Sequence, residues 1–334
     1  MSLGYACQEA AQGSVAAEMP IDPEREAERI ERFIREQTLS RYKRRGVVVG
    51  LSGGVDSALM AALCTRALGA ERLLGVILPE KDSSPQSRPL AEQQARALGI
   101  AFEVIDLTDA LTTLGAYRRR DEVIAGLDPD YRPERDRAKL SLPPNLLANG
   151  MLNVFTLTVI RPTGRKLAFR LDADRLNAIL AAQNMKQRTR MMHLYYEAEK
   201  RHYVVGGTTN RTELEQGFFV KYGDGGVDLE PIAHLYKTQV FQLARHVGVI
   251  EPIIQRSPSP DTWSAGVSDE EYYFRMPFAT LDWLMYAWDL KVDIREVSEV
   301  LHLTEDEVKR AFRDFESKKR TTWHLRCMPP SLLD

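Results

Sequence analysis

At 334 residues, with 44% hydrophobic and 28% charged side chains, the chain is long enough for one large α/β domain or two smaller ones, and ordinary for a globular protein. Its formal charge of −2 excludes a global basic field for nucleic acid or acidic membrane, no apolar run reaches bilayer length, and no export leader opens it, so a cytoplasmic protein is expected. The three cysteines, Cys7, Cys64 and Cys327, are too few and too scattered for a disulfide framework or a zinc site.

Residues 1–20 are rich in small side chains and aperiodic, and read as poorly ordered or partly added by cloning. Asp22-Pro23-Glu24 has the form of a helix start, and Ala27, Ile30, Phe33 and Ile34 then recur at helical spacing. Val47-Val48-Val49, bounded by Gly46 and Gly50, reads as a buried parallel strand. It runs into Leu51-Ser52-Gly53-Gly54-Val55-Asp56-Ser57, a tight turn that opens a helix. Glycines there permit positive φ and close approach of a ligand to the backbone. Successive amides make an anion nest, and the helix adds its positive end. Ser52 and Ser57 offer hydroxyls, and Asp56 is suited to a divalent metal. The residues themselves point to phosphate plus metal at the carboxyl end of the first strand. The loop is neither Walker A nor the Gly-x-Gly-x-x-Gly fingerprint.

Strands are predicted at 73–79, where the backbone edge at Leu78 is placed to read adenine, and at 101–106, with a helix over 88–98 between them. This alternation is the doubly wound pattern. A helix over 107–124 leads to a proline-broken loop at 128–135. Stretches 153–160 and 166–171, joined by Pro162-Thr163-Gly164, read as a β-hairpin inside an inserted segment, 127–182. A surface decoration, a lid and a dimer arm are all open for it. A helix over 184–200, a strand over 203–207, a second strand-to-helix turn ending at Glu213 and a glycine-rich loop over 217–228 follow. A helix over 237–247 is stopped by Gly248, and Ser257-Pro258-Ser259-Pro260-Asp261 is a loop. The remainder reads as helical, including stretches near 281–284 and over 304–315.

Four stretches carry a resemblance. They are Gly50-Leu51-Ser52-Gly53-Gly54-Val55-Asp56-Ser57; Lys186-Gln187-Arg188-Thr189-Arg190-Met191; Gly207-Thr208-Thr209-Asn210-Arg211-Thr212-Glu213 with Lys221-Tyr222-Gly223-Asp224-Gly225-Gly226-Val227-Asp228; and Pro231 with Leu235-Tyr236-Lys237-Thr238-Gln239. The first resembles the pyrophosphate loop of the N-type ATP pyrophosphatases. Together they resemble the ammonia-dependent NAD synthetases from residue 21 to the end, the hairpin excepted.

The order of elements and that resemblance together give the expected fold, a doubly wound, mostly parallel sheet with helices on both faces and a helical carboxyl-terminal region, to which the residues at 153–171 add an inserted β-hairpin. The resemblance implies ATP held by Gly50 to Ser57, Leu78, Thr208, Lys237 and Ser259, the last standing where the family has threonine. Mg²⁺ falls to Asp56 and Glu213, and deamido-NAD to Arg188, Lys221, Asp228 and His324, with Lys237 and Asp56 catalytic. The implied reaction adenylates the deamido-NAD carboxylate and aminates it with ammonia, releasing pyrophosphate and AMP. The synthetase fold uses nearly the whole chain, so free ammonia or a separate glutaminase subunit is expected as nitrogen source. A twofold homodimer is implied, with the aromatic carboxyl-terminal helices at its interface. Taken singly, Glu213 reads equally as a first-turn acid, Lys237 as one half of a surface pair and Arg188 as part of a solvated helix face. Their joint order carries the reading. Where the family has His-Lys near its end, this chain has His324-Leu325-Arg326. Two alternatives stand beside the main reading: an amide ligase of the same superfamily acting on another acid, and a non-catalytic adenine-nucleotide-binding module.

Overall fold

The computed structural model describes residues 18–148 and 154–332. Four short strands form a parallel sheet: β1 (Val47–Gly50), β2 (Leu73–Ile77), β3 (Ala101–Val104) and, much later in sequence, a strand at Val204–Gly206. Their order across the sheet is β3, β2, β1, then the late strand, with Val47 beside both Leu73 and Val204. The triple valine has a direct structural reading. Val47 and Val49 enter the core on one face, with α1 (Pro23–Arg35) and α2 (Val55–Leu68), while Val48 enters the core on the other. A strand covered on both faces must be apolar throughout. Helix α2 is likewise buried over most of its circumference, which the run Ala58 to Cys64 permits.

The chain between the first and last parallel strands adds α3 (Ser87–Leu98), α4 (Thr108–Thr113) and α5 (Ala116–Leu127). The single helix expected over 107–124 is two, divided at Gly115, whose φ of +74° ends the helical path. The expected hairpin is there, as β5 (Thr156–Ile160) and β6 (Lys166–Arg170), with Gly164 in the turn at φ +82°. It is part of a larger element, because β4 (Arg137–Ser141) pairs antiparallel with β5 to make a three-stranded sheet. Ala138 and Leu140 point inward from β4 with polar neighbours outward, an alternation too short to stand out in sequence. The long helix α6 (Ala173–Arg201) begins at the N-cap Asp172, eleven residues before the predicted start, so a segment boundary at 182 falls inside a helix. The late parallel strand is β7 (Val204–Gly206).

Beyond β7 come α7 (Arg211–Gln216), α8 (Lys237–His246) and α9 (Glu251–Ile254). A helical carboxyl-terminal layer follows, α10 (Phe278–Asp289), α11 (Ile294–Leu301), α12 (Glu305–Thr321) and α13 (Trp323–Arg326). This layer has its own core of Phe274, Trp283, Leu284 and Phe315, which Met19 joins. Of residues 1–20, then, Met19 is packed, and its carbonyl and that of Pro20 accept hydrogen bonds from Gln242 and Gln239. Residues 1–17 lie outside the described residues. No helix among the described residues is long and apolar enough to cross a membrane.

Candidate active site

The carboxyl ends of β1, β2 and β7 open into a cavity of about 530 Å³. It is lined by Gly50, Leu51, Ser52, Gly54, Val55, Asp56, Ser57, Leu78, Arg188, Thr208, Glu213, Lys221, Lys237 and Ser259. Residues from six regions of the chain thus share one wall, as the doubly wound topology requires of a ligand site. A shallower depression bearing Arg45, Arg72, Lys200 and His202 lies by the opposite strand ends and holds none of the predicted residues.

The phosphate loop is built as expected. Gly53 has φ +75°, and a Cβ there would stand 2.4 Å from the Ser87 carbonyl oxygen. The Ser52 and Ser57 hydroxyls lie 3.1 Å apart. Ser57 donates to the Gly54 carbonyl, and Ser52 accepts from the Gly54 amide. Gly53 itself faces away from the cavity. Its carbonyl accepts from Arg256, which also donates to the Ser87 hydroxyl. Asp261 accepts from the Ser84 amide and the Ser87 hydroxyl, so the loop carrying Ser259 is tied to the loop after β2.

Beside the phosphate loop lies a charge cluster around a buried lysine. Lys237 Nζ lies 2.6 Å from Asp56 Oδ2 and 3.3 Å from Glu213 Oε1, and is 1% exposed. Asn210 links the same two acids. Its amide nitrogen donates to Asp56 Oδ1, and its amide oxygen accepts the Glu213 N–H. Glu213 Oε2 returns a bond to the Asn210 N–H, completing a capping box. Glu213 is thus the first-turn acid of the plain reading through Oε2, while its Oε1 faces the Lys237 ammonium. A third acid, Asp269, borders the cavity, almost fully buried, and its Oδ1 has no hydrogen-bond partner among the described residues.

Burial, against the pull of Lys237 and reinforced by Asp56 and Asp269, pushes the Glu213 carboxyl up to about 8. Burial pushes Asp269 up to about 7, again against Lys237 and with Asp56 adding to it. Burial alone would lower Lys237, but Asp56, Glu213 and Asp269 hold its ammonium well above the ordinary lysine range. Three acids, one buried and two partly buried, surround one buried cation and offer more carboxylate oxygens than the single ammonium can match. That surplus, together with the orphaned Asp269 oxygen, fits a hard divalent cation. Among the described residues no group of three or more His, Cys, Asp or Glu forms a ready-made cage. Asp56 and Glu213 would supply protein ligands and the nucleotide phosphates others, the usual arrangement for Mg²⁺.

Not every predicted residue reaches the cavity. Asp228 braces the backbone instead: its carboxylate accepts from the Val205 N–H and the Tyr195 hydroxyl. His324 does not line the cavity either; its carbonyl and that of Cys327 hold the Lys221 ammonium. Arg326 is spent on the Leu214 and Lys319 carbonyls. The Leu78 carbonyl accepts from Arg190. Asn210, Arg256, Asp261 and Asp269 were not singled out in the sequence. Only Asn210 had a signal, the N-cap spacing to Glu213.

The chain is similar to known proteins over most of its length. The family model described as NAD synthase matches residues 26–138 and 150–326, so it runs through β5 and β6 and is broken only over 139–149. The NH(3)-dependent NAD(+) synthetase of Mesorhizobium japonicum is 44% identical over 311 residues, 93% of this chain and 97% of its own length. That of Thermotoga maritima is 38% identical over 281 residues, 82% of this chain and 93% of its own. The solved NH3-dependent NAD synthetase from Campylobacter jejuni superposes with a TM-score of 0.60 at 20% identity, covering 94% of this chain and all of that one. With that identity over most of its length, and a phosphate loop feeding a buried Asp–Lys–Glu cluster, the chain belongs to the NAD synthase family.

Proposed function

We propose that the protein is an ATP-dependent, amide-forming ligase that converts deamido-NAD to NAD with ammonia. The observation that carries this is the Asp56–Lys237–Glu213 cluster standing beside the phosphate loop, in a chain 44% identical to a named NH(3)-dependent NAD(+) synthetase. The loop amides and the amino end of α2 receive the ATP phosphates. Arg188, on the cavity wall, offers a bidentate fork to a carboxylate or phosphate of the dinucleotide. The substrate carboxylate attacks the α-phosphorus, pyrophosphate leaves, and an acyl adenylate forms. Ammonia then attacks the acyl carbon and AMP departs. Lys237, held charged by its acids, neutralises the charge that grows on the phosphoryl oxygens, and the cavity walls hold the two reactants in line. Mg²⁺ bound at Asp56 and Glu213 would supply charge neutralisation of the phosphates.

The chain acts as a homodimer in this reading, and takes ammonia either free or from a separate glutaminase subunit. The test is pyrophosphate release from ATP by the purified chain, with deamido-NAD, with other carboxylic acids and with none. Release that requires deamido-NAD and ammonium supports the reading. Release with another acid alone favours a ligase of different substrate, and none with any acid favours a nucleotide-binding module. Equal turnover with glutamine in place of ammonium would overturn the assigned nitrogen source.

A further inference from the structure

Helix α10 carries two aspartates seven residues apart, Asp282 and Asp289, and so on one face. Both reach the starts of α7 and α8. Asp289 Oδ2 accepts from the Arg211 guanidinium at 2.6 Å and the Tyr236 hydroxyl at 3.1 Å. Asp282 sits deeper and is fully buried. Its Oδ1 accepts from the Thr212 hydroxyl at 2.7 Å, and its Oδ2 from the Thr238 N–H at 2.8 Å. The Thr212 oxygen in turn accepts the Lys237 N–H at 3.0 Å. The bonds of Asp282 therefore end on the residues next to Glu213 and next to Lys237.

A buried carboxylate is costly unless its oxygens are matched, and here each has a donor. It also supplies something the local sequence lacks. The N-cap position of α8 is Tyr236, not the preferred Ser, Thr, Asp or Asn, and an acid from another element serves the second amide of the helix. Because α7 bears Glu213 and α8 begins at Lys237, tying both starts to one rigid side chain sets the separation between ammonium and carboxylate.

We infer that Asp282 is a positioning residue for the reaction, locking Lys237 and Glu213 in register through Thr212 and Thr238. This rests on the roles proposed above for those two groups. Asp282 is fully buried and does not line the cavity, so its loss should act on turnover rather than on dinucleotide binding. Asp289, which braces the same helices farther from the site, is the internal control.

The experiment uses the full chain with five substitutions: Asp282→Asn, Thr212→Val, Thr212→Ser, Asp289→Asn and Lys237→Met. Turnover, the KM for deamido-NAD, the Mg²⁺ concentration for half-activity and Tm are measured for each. Asp282→Asn and Thr212→Val are expected to lower kcat by about 10- to 100-fold, the scale of an ångström-level misplacement. The KM for deamido-NAD stays within about twofold, and the Mg²⁺ midpoint rises. Thr212→Ser, which keeps the hydroxyl, recovers most of the turnover, and Asp289→Asn lowers Tm while kcat is kept. If kcat follows Tm alike at 282 and 289, or Thr212→Val turns over like the parent, Asp282 is merely structural and the inference fails. Should Asp282→Asn not fold, the Thr212 pair decides. If Lys237→Met keeps its turnover, the failure lies in the role given to Lys237, and the positioning role falls with it.

Discussion

Gly53 shows what a single residue determines here. Its positive φ and the 2.4 Å approach to the Ser87 carbonyl mean that an added methyl must move backbone, not a flexible side chain. Gly53→Ala is expected to cost about 1–2 kcal/mol in backbone strain alone and to weaken ATP binding at least tenfold, as measured by calorimetric titration. ATP affinity equal to the parent's would refute a tightly shaped loop. The buried acids make a second residue-scale prediction. Burial pushes Glu230 and Asp269 up to about 7 and Asp282 up to about 6, so the folded chain binds their protons more readily than the unfolded chain does. With Glu213 at about 8 included, the native state holds the extra protons between about pH 4 and pH 8, so stability falls as pH rises through that window and levels off only above it. Asp82, Asp106 and Asp136 are shifted the other way and titrate below it. Tm should therefore decline from about pH 5 to pH 7, and Glu230→Gln should flatten part of the decline. A Tm that climbs over that range would contradict the burial argument.

Among the elements, α6 ties the site to the three-stranded sheet. Its Lys186 is 1% exposed and donates to Glu80 at 2.9 Å, Asp82 at 2.7 Å and the Thr262 carbonyl at 2.7 Å. Asp82 is also paired with Arg120 of α5, and Glu80 accepts from the Tyr117 hydroxyl. One ammonium thus fastens the loop after β2, which carries Leu78, to the loop that carries Ser259. Lys186→Met would leave two buried carboxylates short of a partner, a loss of about 3–5 kcal/mol by chemical denaturation. It should also raise the KM for ATP, since both loops border the nucleotide cavity. An unchanged KM would limit Lys186 to stability. The element is also where sequence reading faltered. β4 is too short for its alternation to stand out, whereas the first turns of α6 do carry Leu176, Ile179 and Leu180 at helical spacing after the N-cap Asp172, a signal hidden by reading 127–182 as one inserted segment.

On the scale of the whole molecule, the aromatic residues of the carboxyl-terminal layer are largely consumed inside the chain: Trp283, Phe274 and Phe315 are core. Trp323 of α13 is 66% exposed, and a second exposed apolar face lies on α6. Met192 and Tyr196, four apart on α6, are 57% and 60% exposed and continue the helix face that begins at Arg188. In the proposed homodimer a second copy would cover this face, beside Arg188, to which the dinucleotide is assigned under the proposed function. Met192→Glu with Tyr196→Glu should give a monomer by sedimentation equilibrium, with deamido-NAD turnover reduced. A dimer of unaltered affinity would place the interface elsewhere.

Much of the site was legible in the linear chain because its parts are local. The strand, the glycine turn and the helix that follow one another from Val47 to Leu68 need only short-range geometry, and the unbroken apolar runs of strand and helix report burial on all sides. What only the folded chain decided is which charges meet. Asp56 and Lys237 are 181 positions apart, Thr212 and Asp282 are 70 apart, and nothing in a linear pattern tells a buried acid from a solvated one. The cluster exists because β1 and β7 lie side by side, so the turn after each strand arrives at the same cavity. Once water is excluded there, each carboxylate is held by the partners the fold brings to it.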